Sequence, residues 1–177
     1  MRPKQPVKIT PVTLTDAPEI YRLVSTNMTS LSPWLPWAKR MSDIATERHF
    51  LKYAIQKQAQ GQLFMFTIRV NGEVAGAIDL HNIDSDDRHA EIGYWLGDQF
   101  RGQGVMAESL KQIELIAKGL QIHVLLILAD VGNNQSQRVA IRSGYLRSGL
   151  ISEYLYDGKE WHDCVFYSKV LSPTVSD

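Results

Sequence analysis

Cysteine is nearly absent from the 177-residue chain: Cys164 stands alone, which excludes an intramolecular disulfide and any zinc site built on several thiolates. Neither sign of charge predominates, with 19 acidic and 19 basic side chains. No long-range field therefore recruits nucleic acid or a membrane surface, and any phosphate site has to be local. No apolar run reaches the roughly 20 residues that a membrane span requires, and the opening MRPKQPVKIT has no apolar core of the kind a signal peptide needs. Low-complexity linkers and internal repeats are missing as well. These absences leave the expectation of a soluble, reduced, cytoplasmic protein, with residues 1–177 forming one domain large enough to bury a core.

What is present is a series of short, well-punctuated segments. Val7 to Thr13 alternates as a strand does, and Thr15 is placed to cap a helix through DAPEIYRLVSTN, with Asp16 and Pro18 in its first turn. MTSLSPWLPWAKRM carries Pro33, Trp34, Pro36 and Trp37 without a period and reads as an apolar loop. From Ser42, the residues Ile44, His49 or Phe50, Tyr53, Ala54 and Ile55 space out a helix face that stops at Gly61. LFMFTIRV and EVAGAIDLHNI form a hairpin around Asn71-Gly72, a pair that supplies the positive φ angles of a type I′ turn. HAEIGYWL is a further strand, Met106 to Lys118 an amphipathic helix, and HVLLILAD a strand buried on both faces. NQSQRVAIRSG is a short helix, and YLRSGLISEYLY with EWHDCVFYSKV a closing hairpin. The order β, α, α, β, β, β, α, β, α, β, β is that of an α+β domain with a mixed sheet and one crossover.

Gly102, Gly104 and Ala107 in DQFRGQGVMAESL follow a strand and open a helix, and Asp130 closes the next strand, the arrangement of a dinucleotide-binding turn. That fold needs repeated βαβ units, and the three hairpin-like strands before the glycines count against it. A Walker phosphate loop fails because no Lys-Ser or Lys-Thr pair follows Gly104. Two readings stay open: the glycines relax a tight connection, or they let consecutive backbone N–H groups converge on an anion, backed by the helix N-terminus and by Arg101. A pyrophosphate suits the second.

With its neighbouring strands this segment resembles the Gcn5-related N-acetyltransferase superfamily, whose acetyl-CoA motif [Q/R]-x-x-G-x-[G/A] falls on Arg101, Gly102, Gln103, Gly104, Val105 and Met106. A second motif of that superfamily falls on Asn133, Ser136, Val139, Ala140, Gly144 and Tyr145 in NNQSQRVAIRSGY. SPWLPW, AEIGYWLG, GQGVM, EYLYDGKEWHD and VFYSKV further resemble the RimJ/RimL-type enzymes that acetylate the N-terminal serine of ribosomal proteins. The resemblance implies a GNAT-like fold: a central sheet of about seven strands, mostly antiparallel, with helices on both faces in three α/β/α layers. It also implies transfer of acetyl from acetyl-CoA to a primary amine, by direct attack in a ternary complex and without a metal. The N-terminal α-amine of a ribosomal protein is the first acceptor; a polyamine, antibiotic or toxin amine is the alternative. A homodimer belongs to the same picture.

The reaction needs a deprotonated amine, a positioned carbonyl, a stabilised oxyanion and a proton for the departing thiolate. The resemblance implies that the backbone from Glu91 to Leu96, through Tyr94 and Trp95, meets the pantetheine arm, with an N–H near Leu96 facing the thioester oxygen. Gly93 is read as the site of a bulge that frees this strand. The thiolate's acid, a tyrosine in many relatives, would stand where this chain has Ala140, and in the RimL pattern its role passes to Ser136, whose other reading is a helix cap. Glu153 matches the base, with Glu91 as second choice. His81, His89 and His162 have no mutual metal spacing, His49 and His123 sit in ordinary element positions, and Cys164 reads as a buried inert thiol. Trp34 and Trp37 read as a wall of the acceptor groove or as core. The rivals from other classes are a non-catalytic acyl-CoA-binding module, which the missing tyrosine favours, and a dinucleotide-dependent oxidoreductase.

Overall fold

Asn71 and Gly72, at φ 53° and 86°, turn β2 (Phe64–Val70) back onto β3 (Glu73–Asp84), as the type I′ reading requires. The computed structural model describes residues 6–171; both ends of the 1–177 reading, including the first five residues of MRPKQPVKIT, lie outside the described residues. β1 (Val7–Pro11) adds to β2, and β4 (His89–Leu96) adds to β3, all antiparallel. β5 (Val124–Asp130) runs parallel to β4, then β7 (Trp161–Val170) pairs with β5 and β6 (Leu146–Tyr156) takes the outer edge, giving the order β1-β2-β3-β4-β5-β7-β6.

The parallel pair is short. Only His89, Ala90 and Glu91 face Val124, Leu125 and Leu126; beyond them β4 stays with β3 to Leu96, while β5 stays with β7 as far as Asp130 opposite Cys164. The second halves of β4 and β5 therefore diverge, and among the described residues no strand pairs with the backbone of β4 from Ile92 onward on that side.

Among the described residues five α-helices flank the sheet in three layers: α1 (Ala17–Thr26), α2 (Met28–Leu31), α3 (Ile44–Ala59), α4 (Val105–Gly119) and α5 (Asn134–Arg142). α1 and α3 pack on each other and over β3 and β2, α4 covers β1 and β3, and α5 lies over β5 and β6. α4 buries Val105, Met106, Leu110, Ile113 and Ala117, the stripe its periodicity predicts.

Several local readings are corrected. Thr15 is not the cap of α1: Thr13, in extended conformation, bonds Asp16 through its N–H (2.8 Å) and hydroxyl (3.1 Å), and α1 starts at Ala17. Asp16 is fixed there by Arg69 and Thr67 of β2, a contact that local spacing does not reveal. The segment read as a loop carries α2 and a 3-10 turn at Pro36–Arg40, anchored by buried Leu31 and Ala38. α3 is rotated from its predicted face. Ile44, Phe50, Tyr53 and Ile55 are exposed; Ala54 is buried as expected, and Glu47 and Leu51 complete the buried stripe. A glutamate in that stripe disguised it. Gly93 makes no bulge; it stands in register opposite Asp79, whose carboxylate lies 2.8 Å from where a Cβ would be. The irregularity in this ladder falls between His81 and Asp84, where Asn82 takes φ 47°.

Candidate functional site

The divergence of β4 and β5 opens a cleft of about 620 Å³. Ile92, Gly93, Tyr94, Trp95 and Leu96 form one wall, Leu128, Ala129 and Asp130 the other, and Arg101, Gly102, Gly104, Val105 and Met106 close one end. Asn133, Ser136, Arg138 and Arg142 border it from the α5 side, and Trp34 from the segment after α2.

At the closed end the chain reverses through two left-handed glycines. Gly102 is at φ 72° and Gly104, the residue capping α4, at φ 77°; a Cβ on either would meet nothing within 4 Å. An L side chain is strained at both positions. The result is a bare, open turn at the N-terminus of a 15-residue helix, where unpaired N–H groups and the helix dipole favour an anion. Arg101 braces it: its guanidinium lies 3.0 Å from Asp98, donates to the Leu96 carbonyl at 3.3 Å and reaches Gln135 of α5 at 3.3 Å. The open turn and the unpartnered strand edge fit the two parts of a coenzyme A molecule, its pyrophosphate and its amide-bearing arm.

Ser136 is relieved of capping duty. The Asn133 side chain accepts the Ser136 N–H at 3.1 Å and caps α5, so the hydroxyl is available elsewhere. It lies 2.9 Å from the Tyr94 hydroxyl, which also donates to the Ser136 carbonyl at 3.2 Å. Burial pushes the Tyr94 phenol up to about 12 despite the Ser136 hydrogen bond, so Tyr94 acts here as a neutral donor. Ala140 is fully buried.

The structure thus brings Tyr94, Trp95, Leu96, Arg101, Gly102, Gly104, Val105, Met106, Asn133 and Ser136 to one cleft. Other predicted residues stand outside its lining. Gln103 turns back to donate to the Gln99 carbonyl. Glu153 is exposed in the irregular part of β6, at φ 51°, with its N–H bonded to Asp163 at 2.9 Å. Glu91 is also outside: His81 stands between it and Asp79, 3.4 Å and 2.6 Å away. Burial alone would pull the His81 imidazole down, but the hydrogen bonds and charges of Asp79 and Glu91 together raise it to about 9. The two tryptophans separate. Trp34 lines the cleft, whereas Trp37 is half-buried and meets Trp95 edge-on at 6.2 Å.

Residues that sequence reasoning missed lie in the same cleft. Arg138 and Arg142 of α5 are one turn apart, a basic i, i+4 pair visible in NNQSQRVAIRSGY. Asp130, Asp157 and His162 come together at its other end, with His162 Nδ1 3.1 Å from Asp130 and Nε2 3.5 Å from Asp157. No sequence spacing announces that trio, because Asp130 joins it across the β5–β7 pairing. His89 groups instead with Asp84 and Asp87 at the far end of β4, where Asp84 already accepts the Asp86 and Asp87 N–H groups. Cys164 is buried and its thiol is raised by that burial. Among the described residues no helix is long and apolar enough to cross a membrane.

Residues 7–146 match the model of the acetyltransferase (GNAT) domain. YdaF of Bacillus subtilis (strain 168), an N-acetyltransferase by name, is 32% identical over 160 residues, covering 86% of this chain and 85% of that protein. The ribosomal-protein-serine acetyltransferase of Escherichia coli (strain K12) is 27% identical over 153 residues, covering 86% of each. A RimL ribosomal α-N-protein acetyltransferase solved in complex with coenzyme A superposes with a TM-score of 0.89 at 25% identity, over 93% of this chain and 94% of that one.

Proposed function

The chain belongs to the GNAT acetyltransferase family and is an acetyl-CoA-dependent N-acetyltransferase, and on that premise we propose that it acetylates the N-terminal α-amine of a ribosomal protein. The observation that carries the reading is the meeting, in one cleft, of an unpartnered strand edge, an open glycine turn and the Ser136 hydroxyl. Relatives named for ribosomal substrates supply the acceptor class.

In this reading the turn from Arg101 to Met106 and the α4 N-terminus hold the pyrophosphate, with Gln103 contributing backbone only. Arg138 and Arg142 serve the remaining phosphate charge. The backbone from Ile92 to Leu96 bonds the pantetheine amides, and an N–H near Leu96 faces the thioester oxygen. Ser136 donates to the departing thiolate, oriented by Tyr94. Residues 1–177 act as one domain, in the cytoplasm, without nucleic acid or membrane, and sedimentation tests for the homodimer. The base that the resemblance assigns is Glu153.

The test is acetyl-CoA turnover across ribosomal N-terminal peptides, polyamines and aminoglycosides. A peptide is expected to give the highest kcat/KM. Preference for a polyamine or aminoglycoside would displace the ribosomal acceptor.

A further inference from the structure

Acetyl transfer asks two donors to act together. One serves the thioester oxygen, which gains negative charge as the amine attacks, and the other serves the sulfur, which gains it as the C–S bond breaks. On the reading above these are the Leu96 N–H on one wall of the cleft and the Ser136 hydroxyl on the other. They stand where β4 and β5 have parted, so no ladder sets the distance between them.

The Leu96 backbone faces the cleft by alternation. Gly97 donates its N–H to the Ala75 carbonyl of β3 at 2.9 Å, and successive residues of a strand turn their polar groups to opposite sides. The Leu96 N–H and carbonyl therefore both point away from β3. That carbonyl is a hazard, because its lone pairs share the space in which an oxygen becomes negative.

Arg101 takes the carbonyl. Its Nε and Nη2 both donate to the Leu96 oxygen at 3.3 Å, while Nη1 donates to Gln135 Oε1 at 3.3 Å and lies 3.0 Å from Asp98 Oδ1. All three guanidinium nitrogens thus lie against protein oxygens, and the side chain is only 28% exposed. A fork engaged in this way is poorly placed to clasp a phosphate, the duty its position beside the glycine turn suggests. Instead it joins the two walls: Leu96 ends β4, and Gln135 precedes Ser136 in the first turn of α5. Asp98 is fixed in turn, since its N–H donates to the buried Asn27 side chain at 2.7 Å.

We propose that Arg101 is a positioning residue for the transfer step. Its guanidinium pins the Leu96 carbonyl, sets a positive charge beside the N–H that meets the oxyanion, and ties the helix carrying Ser136 to the same point. The inference rests on the reading of Leu96 and Ser136 given above, and it assigns the Arg101 side chain to the thioester and not to the pyrophosphate.

Arg101→Met, Arg101→Lys, Gln135→Leu and Ser136→Ala are compared with wild type on the best acceptor among ribosomal peptides, polyamines and aminoglycosides. Two donors are used: acetyl-CoA, and S-acetyl-pantetheine, which carries the same thioester without the pyrophosphate. Calorimetric titration gives CoA affinity. Arg101→Met is expected to lower kcat about 10-fold, less than the about 10²- to 10³-fold that loss of an oxyanion donor itself costs. Its CoA affinity should stay within about threefold of wild type, because the lost interaction belongs to the transition state. S-acetyl-pantetheine should show the same fractional loss in kcat/KM. Arg101→Lys restores part of the rate, since an ammonium reaches the Leu96 carbonyl but cannot span to Gln135 as well. Gln135→Leu should lower kcat about 2- to 5-fold, as one lost hydrogen bond does, with CoA affinity intact.

The proposal is overturned if Arg101→Met weakens CoA about tenfold or more while kcat holds, or if its defect disappears on S-acetyl-pantetheine; either result makes Arg101 a phosphate ligand. It is equally overturned if Arg101→Met and Gln135→Leu both keep kcat within about twofold of wild type. Should Arg101→Met fail to fold, Gln135→Leu, exposed on α5, decides alone. A loss of kcat in Ser136→Ala without one in the other variants sinks this inference and leaves the reading of Ser136 standing. No loss in any of the four removes both. A polyamine as best acceptor refutes the ribosomal acceptor only, and the same losses are then expected on the polyamine.

Discussion

Glu47→Gln is expected to stabilise the protein at neutral and alkaline pH while changing little in acid. Glu47 lies in the buried stripe of α3, 1% exposed, and neither carboxylate oxygen has a hydrogen-bond partner. Burial pushes its carboxyl from the ordinary 4.5 up to about 7. Between those values the folded chain keeps a proton that the unfolded chain releases, so stability falls as pH rises through the window and the full cost is present above about 7. At 1.36 kcal/mol per pH unit the cost comes to about 3 kcal/mol, an upper figure because water reaching the carboxylate relieves part of it. Glutamine is nearly isosteric and cannot ionise, so it removes this dependence. For a chain of this size about 3 kcal/mol is ~6–12 °C in Tm. Urea unfolding of wild type and Glu47→Gln, followed by circular dichroism from pH 4 to 8.5, gives the difference in stability; other titrating groups cancel in that difference. A constant difference across the range would refute the argument.

Tyr94→Phe removes the hydroxyl that lies 2.9 Å from Ser136; losing one orienting hydrogen bond should lower kcat about 3- to 10-fold with CoA affinity unchanged, and steady-state kinetics beside calorimetry would expose an unaltered kcat. Gly104→Val places a β-branched residue at φ 77° and fills open space at the head of α4; CoA affinity should fall at least tenfold, with about 1–2 kcal/mol of stability lost to the backbone, and an unchanged CoA titration of folded protein would remove the anion-turn argument. The His81 imidazole is raised from 6.5 to about 9, so its interactions stabilise fully below about 6.5 and are lost as pH climbs through 9. With the side chain 36% exposed, screening reduces the effect to about 1 kcal/mol; His81→Gln should flatten the melting-temperature profile between pH 6.5 and 9, and identical slopes would contradict it.

The strands and the glycine turn were legible because their signals are local. Asn71-Gly72 fixes a turn by its own φ angles, and β4 was read to the residue, His89 to Leu96. α3 was misread because period alone cannot say which of two part-apolar faces is inside; Phe50 and Tyr53 stack on each other in solvent at 6.4 Å, while the glutamate sits within. Ser136 was legible as a member of a motif, but its release from capping needed the position of Asn133, and its contact with Tyr94 spans 42 residues of chain. The trio at the open end was invisible for the same reason: Asp130 and His162 belong to different strands and meet only through the β5–β7 pairing.

The strand order puts β7, the last strand among the described residues, inside the sheet. β7 lies between β5 and β6, so β5 keeps a bare edge until Val170 has been synthesised and threaded into place. A chain halted before Trp161 retains the glycine turn and Ser136 but exposes seven residues of mostly apolar β5 to any passing strand. Such a fragment is a seed for aggregation. The pairing that protects it joins residues far apart in sequence, so it forms slowly relative to the early hairpins. Changes within β7 therefore weigh on the step that seals the sheet, while changes at the edge strand β1 leave that step alone.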